Sequence, residues 1–105
     1  MKQDAMLIVR SDMIRRIDEI VERMDRLSLP AMCDRIDSIR HDARMHGMEP
    51  LERLASTLES ALGVGRLGPL IFTYLDLMRD AVGCEEVDEA TTSTFMAALS
   101  MRMGH

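Results

Sequence analysis

Residues 30–61, PAMCDRIDSIRHDARMHGMEPLERLASTLESA, hold two runs of apolar residues at helical spacing with a short break between them. That pattern leaves the chain few folds to choose from. In the first run Cys33, Ile36, Ile39, Ala43 and His46 follow a three-and-four spacing and form one inward stripe. The second begins at Pro50 and turns Leu51, Leu54, Ala55, Leu58, Ala61 and Leu62 inward. Between them Gly47 suits the position just past a helix end, where a left-handed backbone is wanted. The stretch therefore predicts two amphipathic helices joined by a tight turn over residues 45–50.

The flanks extend the same architecture. Residues 1–9 form a loosely held lead-in or the first turn of a helix, and from Ser11, a candidate N-cap, the helical pattern is clear. Met13, Ile14, Ile17, Ile20, Val21, Met24 and Leu27 take one face, and mixed charges take the other. Pro30 disfavours helical geometry at Leu29 and suits the first turn of the next helix. After Gly63 the segment Gly63-Val64-Gly65-Arg66-Leu67-Gly68 has the letters of a dinucleotide-binding loop. That motif requires a strand before it, whereas a helix precedes it here, so it reads as a connection between helices. A fourth helix follows Pro69, with Leu70, Ile71, Tyr74, Leu75, Met78, Ala81 and Val82 on its main face. Phe72 and Leu77 fall off that face, which predicts cover on a second side from the tail. The tail, residues 85–103, places Val87, Thr91, Thr94, Phe95, Ala98, Leu99 and Met101 at helical spacing, although four consecutive Thr and Ser residues lower its helical propensity.

Short connections favour antiparallel neighbours. The expected fold is therefore one all-α domain over residues 1–105, an up-down antiparallel four-helix bundle with an additional C-terminal helix. The expected core is Ile17, Val21, Met24, Ile36, Ile39, Ala43, Leu54, Leu58, Leu62, Tyr74, Leu75 and Met78.

Composition narrows function by exclusion. Only one Tyr, two Phe and no Trp are present, so the core is aliphatic and base-stacking platforms are not to be expected. A formal net charge of −5 opposes a nucleic-acid footprint. Cys33 and Cys84 make neither a metal motif nor a disulfide framework. The apolar run Ala5 to Val9 is too short for a signal-peptide core or a membrane span, which makes a cytoplasmic protein the expectation. No paired carboxylates, nucleophile elbow or phosphate loop appears in a suitable context, and no cofactor or metal is expected. Eleven Met residues serve as adaptable core filler or as a partner surface.

One position has potential chemistry. At about 100° per residue His41 lies roughly 140–200° from Ile36 and Ile39, on the solvent side. Arg40 and Arg44 share that outer half, and Asp37 lies one turn back. A phosphorylatable histidine needs an exposed ring nitrogen and positive charge to steady the phosphoryl oxygens. Asp37 could accept a hydrogen bond from Nδ1 and aim Nε2 outward, while its charge would repel an incoming phosphoryl group. An exposed histidine in a salt-bridged surface with no function is the bland alternative. His46 reads as a capping or partly buried residue, and its five-residue offset from His41 is poor for shared metal ligation.

The order Asp37, Ile39, Arg40, His41, Ala43, His46, Gly47 and Leu51, followed by Ala55 and Leu58-Glu59, resembles the histidine phosphotransfer domain family of bacterial phosphorelays. The resemblance covers about a third of the chain. It implies a four-helix bundle with an exposed phosphoacceptor on a central helix, docking a response-regulator receiver domain or a hybrid histidine kinase. The family's histidine position holds Asp37, its lysine is Arg40, and the following glycine is His41. Two expectations stay open: a phosphoryl carrier with its acceptor at His41, or a non-catalytic helical module that docks receivers or dimerises.

Overall fold

In the computed structural model, which describes residues 2–65, 68–83 and 89–103, the chain forms five helices. They are α1 (Lys2–Glu22), α2 (Leu29–Met45), α3 (Glu49–Gly63), α4 (Leu70–Val82) and α5 (Glu89–Arg102). No strand occurs among the described residues, as an all-helical fold requires.

Local chemistry sets both ends of α2 and the start of α3. At the start of α2 the Ser28 side chain accepts a hydrogen bond from the Ala31 N–H at 3.2 Å, and Pro30 fills a first-turn position where no N–H is missed. At its end Gly47 takes φ +68°; its N–H bonds to the Arg44 carbonyl and that of Met48 to the Ala43 carbonyl. These two bonds are the Schellman arrangement. Pro50 again occupies the first turn of α3. The glycine-rich segment connects α3 to α4, as its helical left flank requires, with Gly65 and Gly68 both at positive φ.

Each of the first four helices packs on two others in a closed ring, α1 on α2, α2 on α3, α3 on α4 and α4 on α1. Helix α5 covers α3 and α4. The shared core contains Met13, Ile17 and Ile20 of α1, Ile36, Ile39 and Ala43 of α2, Leu51, Leu54 and Leu58 of α3, and Tyr74, Leu75 and Met78 of α4. Each large aliphatic side chain removed from water here contributes roughly 1.5–3 kcal/mol before entropy is counted.

Several sequence expectations shift at the edges. Helix α1 runs unbroken from Lys2, so Ser11 is an interior residue and caps nothing; it ends at Glu22, well before Leu27. Val21 is 39% exposed and Met24 only partly buried. The buried stripe is Met13, Ile17 and Ile20, and one further residue turns Val21 about 100° away from it. In α2 the fully inward residue is Met32 while Cys33 is half-buried. His46 is exposed because the helix stops before it: with φ −103° it leaves the helical path, and its Nδ1 donates to the Asp42 carbonyl at 2.8 Å. In α4 Leu77 is buried but Phe72 stays exposed. In α5 Thr92 and Leu99 are buried, whereas Met101 is 79% exposed. Cys84, Glu85, Val87 and His105 lie outside the described residues.

Candidate functional site

The outer face of α2 is held in place from beneath by Ile36, Ile39 and Ala43, all fully buried. On it, Asp37, His41 and Arg44 are exposed and Arg40 is partly so. The expected grouping of these four residues on one outer surface is therefore present. Their pairing differs from the expected one. Asp37 Oδ1 is taken by Arg40, which donates from Nη2 at 2.7 Å and from Nε at 3.2 Å, so this oxygen serves the arginine in place of His41 Nδ1. The physical reason is charge: a guanidinium one turn away is a stronger donor to a carboxylate than a neutral imidazole.

Arg40 also reaches across the hairpin. Its Nε donates to Glu59 Oε1 of α3 at 3.2 Å, so a single guanidinium joins two carboxylates on different helices. The Arg40 hydrogen bonds hold the Asp37 carboxyl below the usual aspartate range. Glu59 moves the other way: burial pushes its carboxyl up and the neighbouring Asp37 charge adds to that, with Arg40 opposing. Glu59 was legible only as half of the Leu58-Glu59 pair. Its place at the site follows from Leu58 pointing inward, which turns the next residue toward the flank facing α2.

Arg44 is the looser cation. Its side chain is 72% exposed, and its one ion pair among the described residues is a marginal one with Glu52 at 4.0 Å. Beyond His41, Asp42 receives Arg16 of α1 at 2.7 Å, and Arg16 also donates to Ser38. This bridge fixes α2 against α1 on the opposite flank from Glu59. The arrangement offers an exposed imidazole, an exposed guanidinium and a carboxylate already paired with Arg40 on a helix anchored in the core. Among the described residues no group of three His, Cys, Asp or Glu side chains could hold a metal ion, and no helix is long and apolar enough to cross a membrane.

No family model matches the chain, and neither a curated protein nor a solved structure shows significant similarity to it.

Proposed function

We propose that this chain is a phosphorelay component that docks a receiver domain, of a response regulator or of a hybrid histidine kinase, through the outer face of α2, with His41 as phosphoryl acceptor. The observation that carries the reading is the exposed His41 on a helix whose opposite side is locked into the core, beside an Arg44 with little else to bind. In transfer, the neutral ring nitrogen of His41 would attack the phosphorus of a receiver's aspartyl phosphate. The N–P bond forms as the P–O bond breaks, and the receiver recovers its carboxylate. Arg44 would steady the phosphoryl oxygens. The engagement of Asp37 by Arg40 reduces the repulsion that a free carboxylate would exert on the incoming group. The up-down antiparallel bundle with α5 as an extra helix belongs to this reading, supported by the ring of helix packing and the short α2–α3 turn. So does a cytoplasmic location.

A second reading, docking without transfer, is favoured by the Asp37–Arg40–Glu59 cluster. It fills the position of the family's acceptor with an ionised, already paired carboxylate. The experiment that separates the two presents a phosphorylated receiver domain to wild type and His41→Gln and looks for acid-labile, base-stable phosphate. Label lost with the substitution establishes His41 as acceptor, and label that persists moves the chemistry elsewhere. Absence of label, with binding that survives His41→Gln and weakens in Arg44→Ala, assigns the docking module. Absence of binding to any receiver overturns both readings.

A further inference from the structure

On α1, Leu7, Arg10 and Ile14 follow a three-and-four spacing and share the side of the helix that faces α4. Between the two helices lies an open groove of about 560 Å³, floored by Ile14 and the buried Val82, flanked by the 58% exposed Leu7 and bounded by Arg79 and Asp80 of α4. Arg10 lines it as well. Its Nε is buried without a hydrogen-bond partner, the one such side-chain atom among the described residues. No ion pair or hydrogen bond among the described residues engages its Nη atoms either, and these are not enclosed. The stem of this side chain is therefore held in the fold while its fork stays open toward the groove. A guanidinium keeps its charge at any pH the fold survives, and a buried donor left without an acceptor is a cost to the folded chain.

We propose that the groove binds a small apolar carboxylate, its chain lying over Ile14, Val82 and Leu7 and its carboxylate on the Arg10 guanidinium. Charge selects the head. Arg79 already donates to Asp18, so Arg10 is the groove's unpaired cation among the described residues. One planar fork matches the two oxygens of one carboxylate. Asp80 adds a negative charge at the exposed rim, where solvent screens it more than the part-buried Arg10. That charge disfavours a dianion such as a phosphate monoester and leaves a monoanion as the fitting ligand.

Size selects the class of occupant. The groove falls within the roughly 300–1,000 Å³ of small-molecule sites, and its apolar floor with one placed charge is their usual lining. A protein partner would need on the order of 800 Å² on each side, more than a groove between two helices supplies. None of these residues belongs to the outer face of α2, so the site stands independently of the receiver-docking reading.

Decanoate, added below its micelle concentration to the labelled full chain and followed by nitrogen–proton correlation spectra, tests this. Saturable shifts should centre on the amides of Leu7, Arg10, Ile14 and Val82 and on the Arg10 Nε–H, a signal identified by its absence from Arg10→Met. Wild type should hold decanoate about tenfold or more tighter than decanol, which has the chain without the charge. Arg10→Met should remove that difference and leave decanol binding unchanged. Its melting temperature should not fall, because the substitution removes a buried donor that has no partner. Leu7→Ser should weaken both ligands alike, and Arg23→Met, at an exposed arginine outside the groove, should bind like wild type. Absence of saturable shifts, decanol held as tightly as decanoate, or decanoate binding undiminished in Arg10→Met would overturn the proposal. So would shifts at the same residues that grow with protein concentration alone, which would make a second copy the occupant. A response to an acidic amphipathic peptide with none to decanoate would overturn it in favour of a protein partner.

Discussion

Arg40 joins carboxylates from two helices, and the two are shifted in opposite directions, Asp37 by Arg40 and Glu59 by burial. Asp37 has a folded-state pKa below its unfolded value, chiefly through the Arg40 hydrogen bonds. Its contribution to stability is therefore complete above about pH 4 and lost as the pH falls through the lowered folded value. Glu59 has the opposite sign, because burial raises its folded pKa. Its contribution is complete below about pH 4.3 and lost as the pH rises through the raised value. Carboxyl titration by NMR should thus find Asp37 below and Glu59 above their ordinary positions. In Arg40→Gln both midpoints should move upward, since the charge that favours both ionised forms has gone. An Asp37 midpoint indifferent to this change would mean that the two groups are not paired in solution.

At the scale of elements, the α2–α3 hairpin owes its geometry to a few backbone positions. Gly47 at φ +68° has no atom within 4 Å of where a Cβ would lie, so Gly47→Ala meets conformational cost alone. That cost should be about 1–2 kcal/mol in a urea titration. At the other end of α2, Ser28→Ala removes the acceptor for the Ala31 N–H and should cost about 0.5–2 kcal/mol, with Ser28→Asp restoring much of it. Packing between elements is heavier. Leu58 is fully buried within the shared core, and Leu58→Ala should cost about 2–5 kcal/mol depending on how far the site collapses. A loss well under 1 kcal/mol would place Leu58 on the wrong face.

For the molecule as a whole, α5 decides whether the bundle ends at four helices or is covered by a fifth. It packs on α3 and α4 and buries Leu99, yet carries Met101 almost free in solvent. If α5 is an integral part of the cooperative unit, Leu99→Asp should lower the melting temperature as a core substitution does, because a carboxylate would be buried without a partner. Met101→Asp, two residues away, should leave it unchanged. Equal and small effects from both would show a tail that melts independently of the core.

The sequence by itself determined the helical class, the positions of most breaks and most of the buried face of each central helix. Those features follow from local chemistry: a 3.6-residue repeat of apolar side chains, prolines at first turns and Gly47 at a left-handed position. It also put His41 outward, since one helix's periodicity is enough to tell inside from outside. Only the tertiary structure decided which side of each stripe is fully covered. Val21 and Phe72 are exposed while Ile20 and Leu77 are buried, because how far the flank of a helix is covered depends on where the adjacent helix lies. The same reason governs the site. The Asp37–Arg40 pair is a contact within α2, three residues apart, but that Arg40 also reaches Glu59 depends on the distance between α2 and α3, and a single helix's sequence does not contain that distance.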